Sequence, residues 1–220
     1  MANGKRSLQE SNSTLVLSYL DLRKSVGVIG TLLPFVVSIG KFLLDGPGLL
    51  SSVSTYYYST MRDVFVGSMC AIGVFLWSYR GYDWRDAVAA TVAAVCAIGV
   101  ALFPIAPDAG ATAGQITIGN FHIGFGAVFF LTLAYFALVL FRKTRTDVPP
   151  THMKLVRNKV YTVCGYTILA AITLIAAVHF LPAESPISAI FPVFWLEALA
   201  CVAFGISWFV KGEAIFKDEQ

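Results

Sequence analysis

Residues 191–211, FPVFWLEALACVAFGISWFVK, decide the fold class. The run is apolar on nearly every face of a helix, is interrupted by Glu197 and ends on Lys211. About 20 mainly apolar residues are what a helix needs to cross the ~30 Å hydrocarbon core of a bilayer. Pro192 suits a first helical turn, where its missing N–H is not needed. A surface helix of a soluble protein would show a broad polar stripe here, and this one does not.

Working outward, the same texture recurs at 25–44, 63–79, 86–106, 117–141 and 160–181, giving six expected spans. The chain has 220 residues, 57% hydrophobic and only 13% charged, with a mean hydropathy of +0.72. A soluble domain carries about 25% charged residues, so its surface could not be built from this composition. An ordinary cytosolic enzyme, a disordered chain and a disulfide scaffold are excluded. The apolar segments are continuous rather than alternating, which argues against a membrane barrel. The expected fold class is all-α: a polytopic membrane protein with six transmembrane helices in one bundle. Residues 1–24 form the segment before it, 25–211 the bundle and 212–220 the tail. Residues 14–22 (TLVLSYLDL) have the pattern of a short helix lying on the membrane surface. No short apolar core with a cleavage site precedes the first span, which is therefore expected to serve as an uncleaved insertion signal.

Fourteen of the sixteen Lys and Arg residues lie in the N-terminal segment, in 80–85, in 142–159 and at the C-terminal end from Lys211 onward. Lys41 and Arg62 alone lie on the other side. Basic loops stay in the cytoplasm, so both termini are expected there. The 142–159 stretch, broken by Pro149-Pro150, becomes the main cytoplasmic loop, with His152 exposed and its cations against anionic headgroups. On the outer side, 45–62 (DGPGLLSSVSTYYYSTMR) turns at 46–48 and then supplies tyrosines suited to the interfacial belt. Cys70, Cys96, Cys164 and Cys201 fall inside spans without CxxC spacing and read as packing residues. Topology accounts for the basic excess, so nucleic acid is not an expected partner. Membrane lipids are, together with a small-molecule or lipid ligand; small-residue helix faces leave an oligomer open.

Ionisable groups inside hydrocarbon cost about 2.5–3.5 kcal/mol each on insertion scales and normally face a cavity or a partner. Glu197 lies about six residues, or ~9 Å at the helical rise, below the outer end of its span. Cys201 and Gly205 continue its face. His122 sits in GNFHIGFGAVFF among Gly119, Gly124 and Gly126, and Asp63 heads the second span beside Arg62. His179 is close to the outer end of the fifth span. The expected ligand-binding or proton-coupling set is Glu197, His122 and Asp63, with Tyr57 and Arg62 at the rim. The expected set for a divalent metal such as zinc is His122, His179, Asp63 and Glu197.

The stretches SSVSTYYYSTMRDVFVG, YRGYD and FWLEALACVAFGISWFVKGE resemble bacterial six-span membrane proteins that carry a domain of unknown function. That resemblance implies residence in a bacterial inner membrane and brings no activity. Ser59, Asp63 and His122 also give a weaker similarity to the alkaline ceramidase and adiponectin-receptor superfamily of membrane hydrolases. That similarity implies a zinc site built from Ser, Asp and three His. The HxxxH pair of that family's last span is absent here, and Glu197 stands in its place.

Three functions follow as expectations. The first is an outward-facing polar pocket that binds or transports a small molecule, ion, proton or lipid headgroup. The second is a metal-dependent intramembrane hydrolase acting on a lipid, with bound water as nucleophile. The third is a structural or assembly subunit whose polar residues knit helices together. No P-loop, HExxH, CxxCH or GxSxG element points elsewhere.

Overall fold

The computed structural model describes residues 2–79, 81, 83–144, 149–180 and 185–215, with side chains from Leu20 onward. Among them are six α-helices and no strand: α1 Ala2–Asp45, α2 Arg62–Ser78, α3 Trp84–Leu102, α4 Ala113–Tyr135, α5 His152–Val178 and α6 Pro192–Lys211. Five contain segments long and apolar enough to cross a membrane: Leu20–Asp45, Trp84–Leu102, Ala113–Leu140, His152–Val178 and Pro192–Lys211. The remaining helix, α2, has 17 residues of similar apolar character.

Local chemistry explains where the helices begin and end. Asp83 accepts the N–H groups of Arg85 and Asp86, and Asp86 reaches back to the Asp83 N–H, a reciprocal capping box that starts α3. Thr112 and Gln115 do the same for α4, which therefore begins before residue 117. Thr151 caps α5, so the helix takes in residues 152–159 of the expected basic loop, with His152 exposed in its first turn. Residues 14–22 are part of α1 rather than a separate surface helix, because no breaker interrupts the chain there. At its far end α4 passes into a π turn, Phe136–Leu140, closed by the Phe141 N–H on the Phe136 carbonyl at 2.8 Å.

The helices form a ring. Each packs on its neighbours in sequence, and α6 returns to pack on α1. The α1–α6 crossing is close because Gly27 and Gly205 face each other: a Cβ on Gly205 would lie 2.7 Å from the Gly27 carbonyl oxygen and would collide with the Thr31 side chain. Inside the ring, Tyr79, Phe136, Phe141, Phe204 and Trp208 form a column of rings with centroids 5.2–6.0 Å apart, edge-on or tilted as ring quadrupoles prefer. The outside reverses the rule for soluble proteins: Leu43, Leu44, Trp77, Val163 and Phe180 are exposed. Cys96 and Cys164 are buried, Cys70 and Cys201 partly so, and all four are free thiols. The molecule is built as an integral membrane protein.

Two ends frame the ring. Residues 45–62, 103–112, 179–180 and 185–191 lie at the distal end. Residues 20–25, 79, 81, 83, 141–144, 149–151 and 211–215 lie at the basic end.

Candidate functional site

The distal segment 45–62 is fastened to the bundle along its whole length. Its turn uses φ of +91° at Gly46 and +109° at Gly48, a conformation open to glycine at little cost. Lys41 then donates to the carbonyls of Gly46, Pro47 and Gly48 at 3.0–3.2 Å, so one ammonium serves three carbonyls beyond the end of α1. The Thr60 N–H donates to Asp45 at 3.0 Å and the Ser51 hydroxyl to Asp108 at 3.0 Å. The Tyr58 hydroxyl donates to the Ile105 carbonyl at 2.6 Å, and the Phe194 N–H to the Ser51 carbonyl at 3.1 Å.

Glu197 belongs to this fastening. Its carboxylate accepts the Val53 N–H at 2.7 Å, the Ser54 N–H at 3.3 Å and the Ser54 hydroxyl at 3.5 Å. Val53 and Ser54 open a short 3₁₀ turn, Ser54–Tyr58, whose first N–H groups have no partner within the turn. The carboxylate supplies that partner from α6. Tyr56, the middle of the turn, is fully buried against the Phe194 ring at 6.1 Å, and burial raises its hydroxyl pKa.

His122 also serves the backbone. The chain leaves helical geometry at Phe103, ahead of Pro104, and its carbonyl has no helical partner. The His122 Nδ1–H donates to that carbonyl at 2.7 Å, and the ring is buried. Gly119, one turn earlier on α4, leaves room for Ala106, whose backbone nitrogen would lie 2.7 Å from a Cβ there.

The rim residues do converge. Tyr57, Arg62 and Asp63 line an open depression of about 420 Å³ together with Tyr58, Ser59 and Thr60. The Arg62 guanidinium lies over the Tyr57 ring at 5.7 Å and its Nε is 3.5 Å from the Asp63 carboxylate. Asp63 is 92% exposed, so most of its hydrogen-bonding capacity remains for solvent or a ligand. Burial raises the hydroxyl pKa of Tyr58 as well.

Of the five residues expected at a ligand site, three surround the depression and two, Glu197 and His122, are committed to backbone groups. The four expected to hold a metal do not meet. Asp63 pairs with Arg62, His179 lies against the Phe180 ring at 6.1 Å, and His122 and Glu197 have the partners just given. Among the described residues no group of three or more His, Cys, Asp or Glu is placed to hold a metal. Ser59, the hydroxyl implied by the hydrolase similarity, donates to the Tyr56 carbonyl at 2.8 Å.

The basic end holds a polar cluster that residue-by-residue reading of the sequence missed. Asp86 is 1% exposed, and Lys143 bridges it at 2.6 Å and Asp83 at 2.9 Å. The Lys143 hydrogen bond is the main reason the Asp83 carboxyl is held at about 2, below its ordinary 3.8. Arg23 donates to the Lys211 carbonyl at 3.3 Å and lies over the Tyr79 ring at 5.4 Å. Lys211 is itself buried, with its ammonium over the Phe141 ring at 5.4 Å. The D-x-x-D spacing of Asp83 and Asp86 at the head of a span was the available signal, since it marks a capping box. The distant partner, Lys143, had none.

No family model matches the chain, and neither does any curated protein or solved structure. Function is therefore read from the geometry.

Proposed function

We propose that this protein is an integral membrane binding protein whose outward end takes a small polar molecule or lipid headgroup in the depression around Arg62. In this reading α2 is the sixth span. Seventeen residues rise about 26 Å, enough for a short crossing, and α2 packs between α1 and α3 as the other spans pack on their neighbours. With six crossings both termini fall on one side, and the placement of fourteen of sixteen Lys and Arg makes that side the cytoplasm. The distal end then faces outward from a bacterial cytoplasmic membrane.

The observation that carries the proposal is the convergence of Tyr57, Arg62 and Asp63 on one open depression. Arg62 offers a planar cation for phosphate or carboxylate, Asp63 a carboxylate for an ammonium, and the two tyrosines a π surface. Opposite charges side by side favour a zwitterionic ligand, so phosphoethanolamine is the probe of choice. Titrated into the purified full chain in neutral detergent, it should bind saturably and raise the melting temperature. Arg62→Gln and Asp63→Asn should each weaken binding about tenfold or more, the loss of one charge-assisted hydrogen bond. Affinity unchanged from the wild type in both variants, or no binding to the wild type, would dispose of this reading.

A second reading is supported by Glu197 and His122. Both are spent on holding the distal backbone together, which is what a structural or assembly subunit requires. In that case the two substitutions at the rim leave every interaction of the protein unchanged.

A further inference from the structure

A groove of about 640 Å³ runs along the first three turns of α5, beside the end of α4. On α5, His152, Leu155, Val156, Lys159 and Val163, with Asn158 and Thr162 beside them, follow helical spacing and so share one face. Arg142 closes the groove from the end of α4. Along the groove, the first two turns of α5 interleave His152 and Lys159 with Leu155 and Val156; below Lys159 the exposed face carries no charge, with Val163 65% exposed and Tyr166 beneath it at 62%.

The charges here differ from those around them. Lys143, next to Arg142, is engaged by Asp83 and Asp86, and Lys24 by Asp21. Arg142, His152 and Lys159 make no ion pair among the described residues. Arg142 gives one N–H to the Leu138 carbonyl at 3.3 Å and keeps the other donors of its guanidinium. No Asp or Glu is among the described residues lining the groove.

We infer that this groove is a binding site for one anionic phospholipid of the adjacent leaflet. The phosphate takes Arg142 and Lys159, and an acyl chain descends past Val163 and Tyr166 along the exposed face of α5. Charge complementarity selects the occupant. A planar guanidinium and an ammonium lining one groove match a phosphate, and basic pockets beside spans recognise acidic headgroups. A zwitterionic lipid would bring an ammonium to a groove whose described lining residues include no carboxylate. A free phosphate would leave the apolar wall unused. This site lies at the other end of the molecule from the Arg62 depression and stands or falls without it.

The test is native mass spectrometry of the full chain in neutral detergent, titrated with phosphatidylglycerol and, separately, phosphatidylcholine. The first phosphatidylglycerol should bind well ahead of phosphatidylcholine. Each basic side chain near an anionic headgroup is worth about fivefold in binding, so the double variant Arg142→Gln/Lys159→Gln should lose about thirtyfold for phosphatidylglycerol and nothing for phosphatidylcholine. Val163→Trp, at a lipid-facing position that leaves the charges in place, should also weaken phosphatidylglycerol; it carries the test if the double variant fails to fold. Equal affinity for the two lipids, or unchanged phosphatidylglycerol binding in a folded variant, would overturn the inference. So would full displacement of the lipid by millimolar inorganic phosphate, which would make this an anion site without a lipid.

Discussion

The two ends of the ring solve the same problem, polar atoms next to hydrocarbon, by opposite means. At the distal end, charged and hydroxyl side chains are spent on backbone groups. Glu197 takes two amides of the 3₁₀ turn, His122 takes one carbonyl, and Lys41 takes three. At the basic end, side chains meet mainly side chains: Lys143 joins two carboxylates, and Arg23 and Lys211 lie over aromatic rings, with Arg23 also reaching the Lys211 carbonyl. The first arrangement holds a loop whose fold depends on a few contacts to distant helices. The second is anchored in the aromatic column and behaves as core. The proposed Arg62 site lies on the first kind of end, where the fastened loop positions exposed groups.

That contrast is easiest to break at the column. Trp208 is fully buried and touches Tyr79, Phe136, Phe141 and Phe204. Trp208→Ala should cost about 3–5 kcal/mol, seen as loss of monodisperse protein on size-exclusion or a large fall in melting temperature. A cost below about 1 kcal/mol would mean that the basic end is not core.

Glu197 sharpens the comparison from the other side. Glu197→Ala removes the acceptor of the Val53 and Ser54 amides and should cost about 2–3 kcal/mol; Glu197→Gln keeps one acceptor oxygen and should cost about half as much. A proton-coupling or metal-binding role predicts the reverse emphasis, with full stability and lost function in the Gln variant. Melting temperatures of the two variants separate these.

The smallest expected effect is electrostatic. The Asp83 carboxyl is held at about 2 rather than 3.8, chiefly by Lys143. A depressed carboxyl stabilises the fold while ionised, so its contribution is complete above 3.8 and fades as pH falls towards about 2. The melting temperature should therefore drop across that window, and Lys143→Gln should flatten the step. A variant that keeps the step would assign it to another group.

Much of the bundle was legible in the sequence because burial in lipid demands length and continuous apolarity, which a linear reading sees. The span at 191–211 is realised as Pro192–Lys211 almost to the residue. Boundaries moved where capping chemistry, not hydropathy, sets them: Thr112 and Thr151 start α4 and α5 several residues early. The site was half legible. Arg62, Asp63 and Tyr57 are close in sequence, so their meeting follows from local geometry. Glu197 and His122 stand out in the sequence as ionisable residues inside spans, but their partners include backbone atoms of residues 53–54 and 103, and backbone atoms leave no mark in a sequence. The same is true of the Lys143 bridge to Asp83 and Asp86, whose partners are far apart along the chain.

The central claim is that Glu197 is a clamp on the distal loop. Hydrogen–deuterium exchange of the wild type and Glu197→Ala, followed on peptides covering 50–58 and 203–211, tests it most directly. The account predicts slow exchange of 50–58 in the wild type, at least about tenfold faster exchange there in the variant, as expected for losing roughly 1.4 kcal/mol or more of local stability, and no change in 203–211. Equal rates for 50–58 in the two proteins would contradict it.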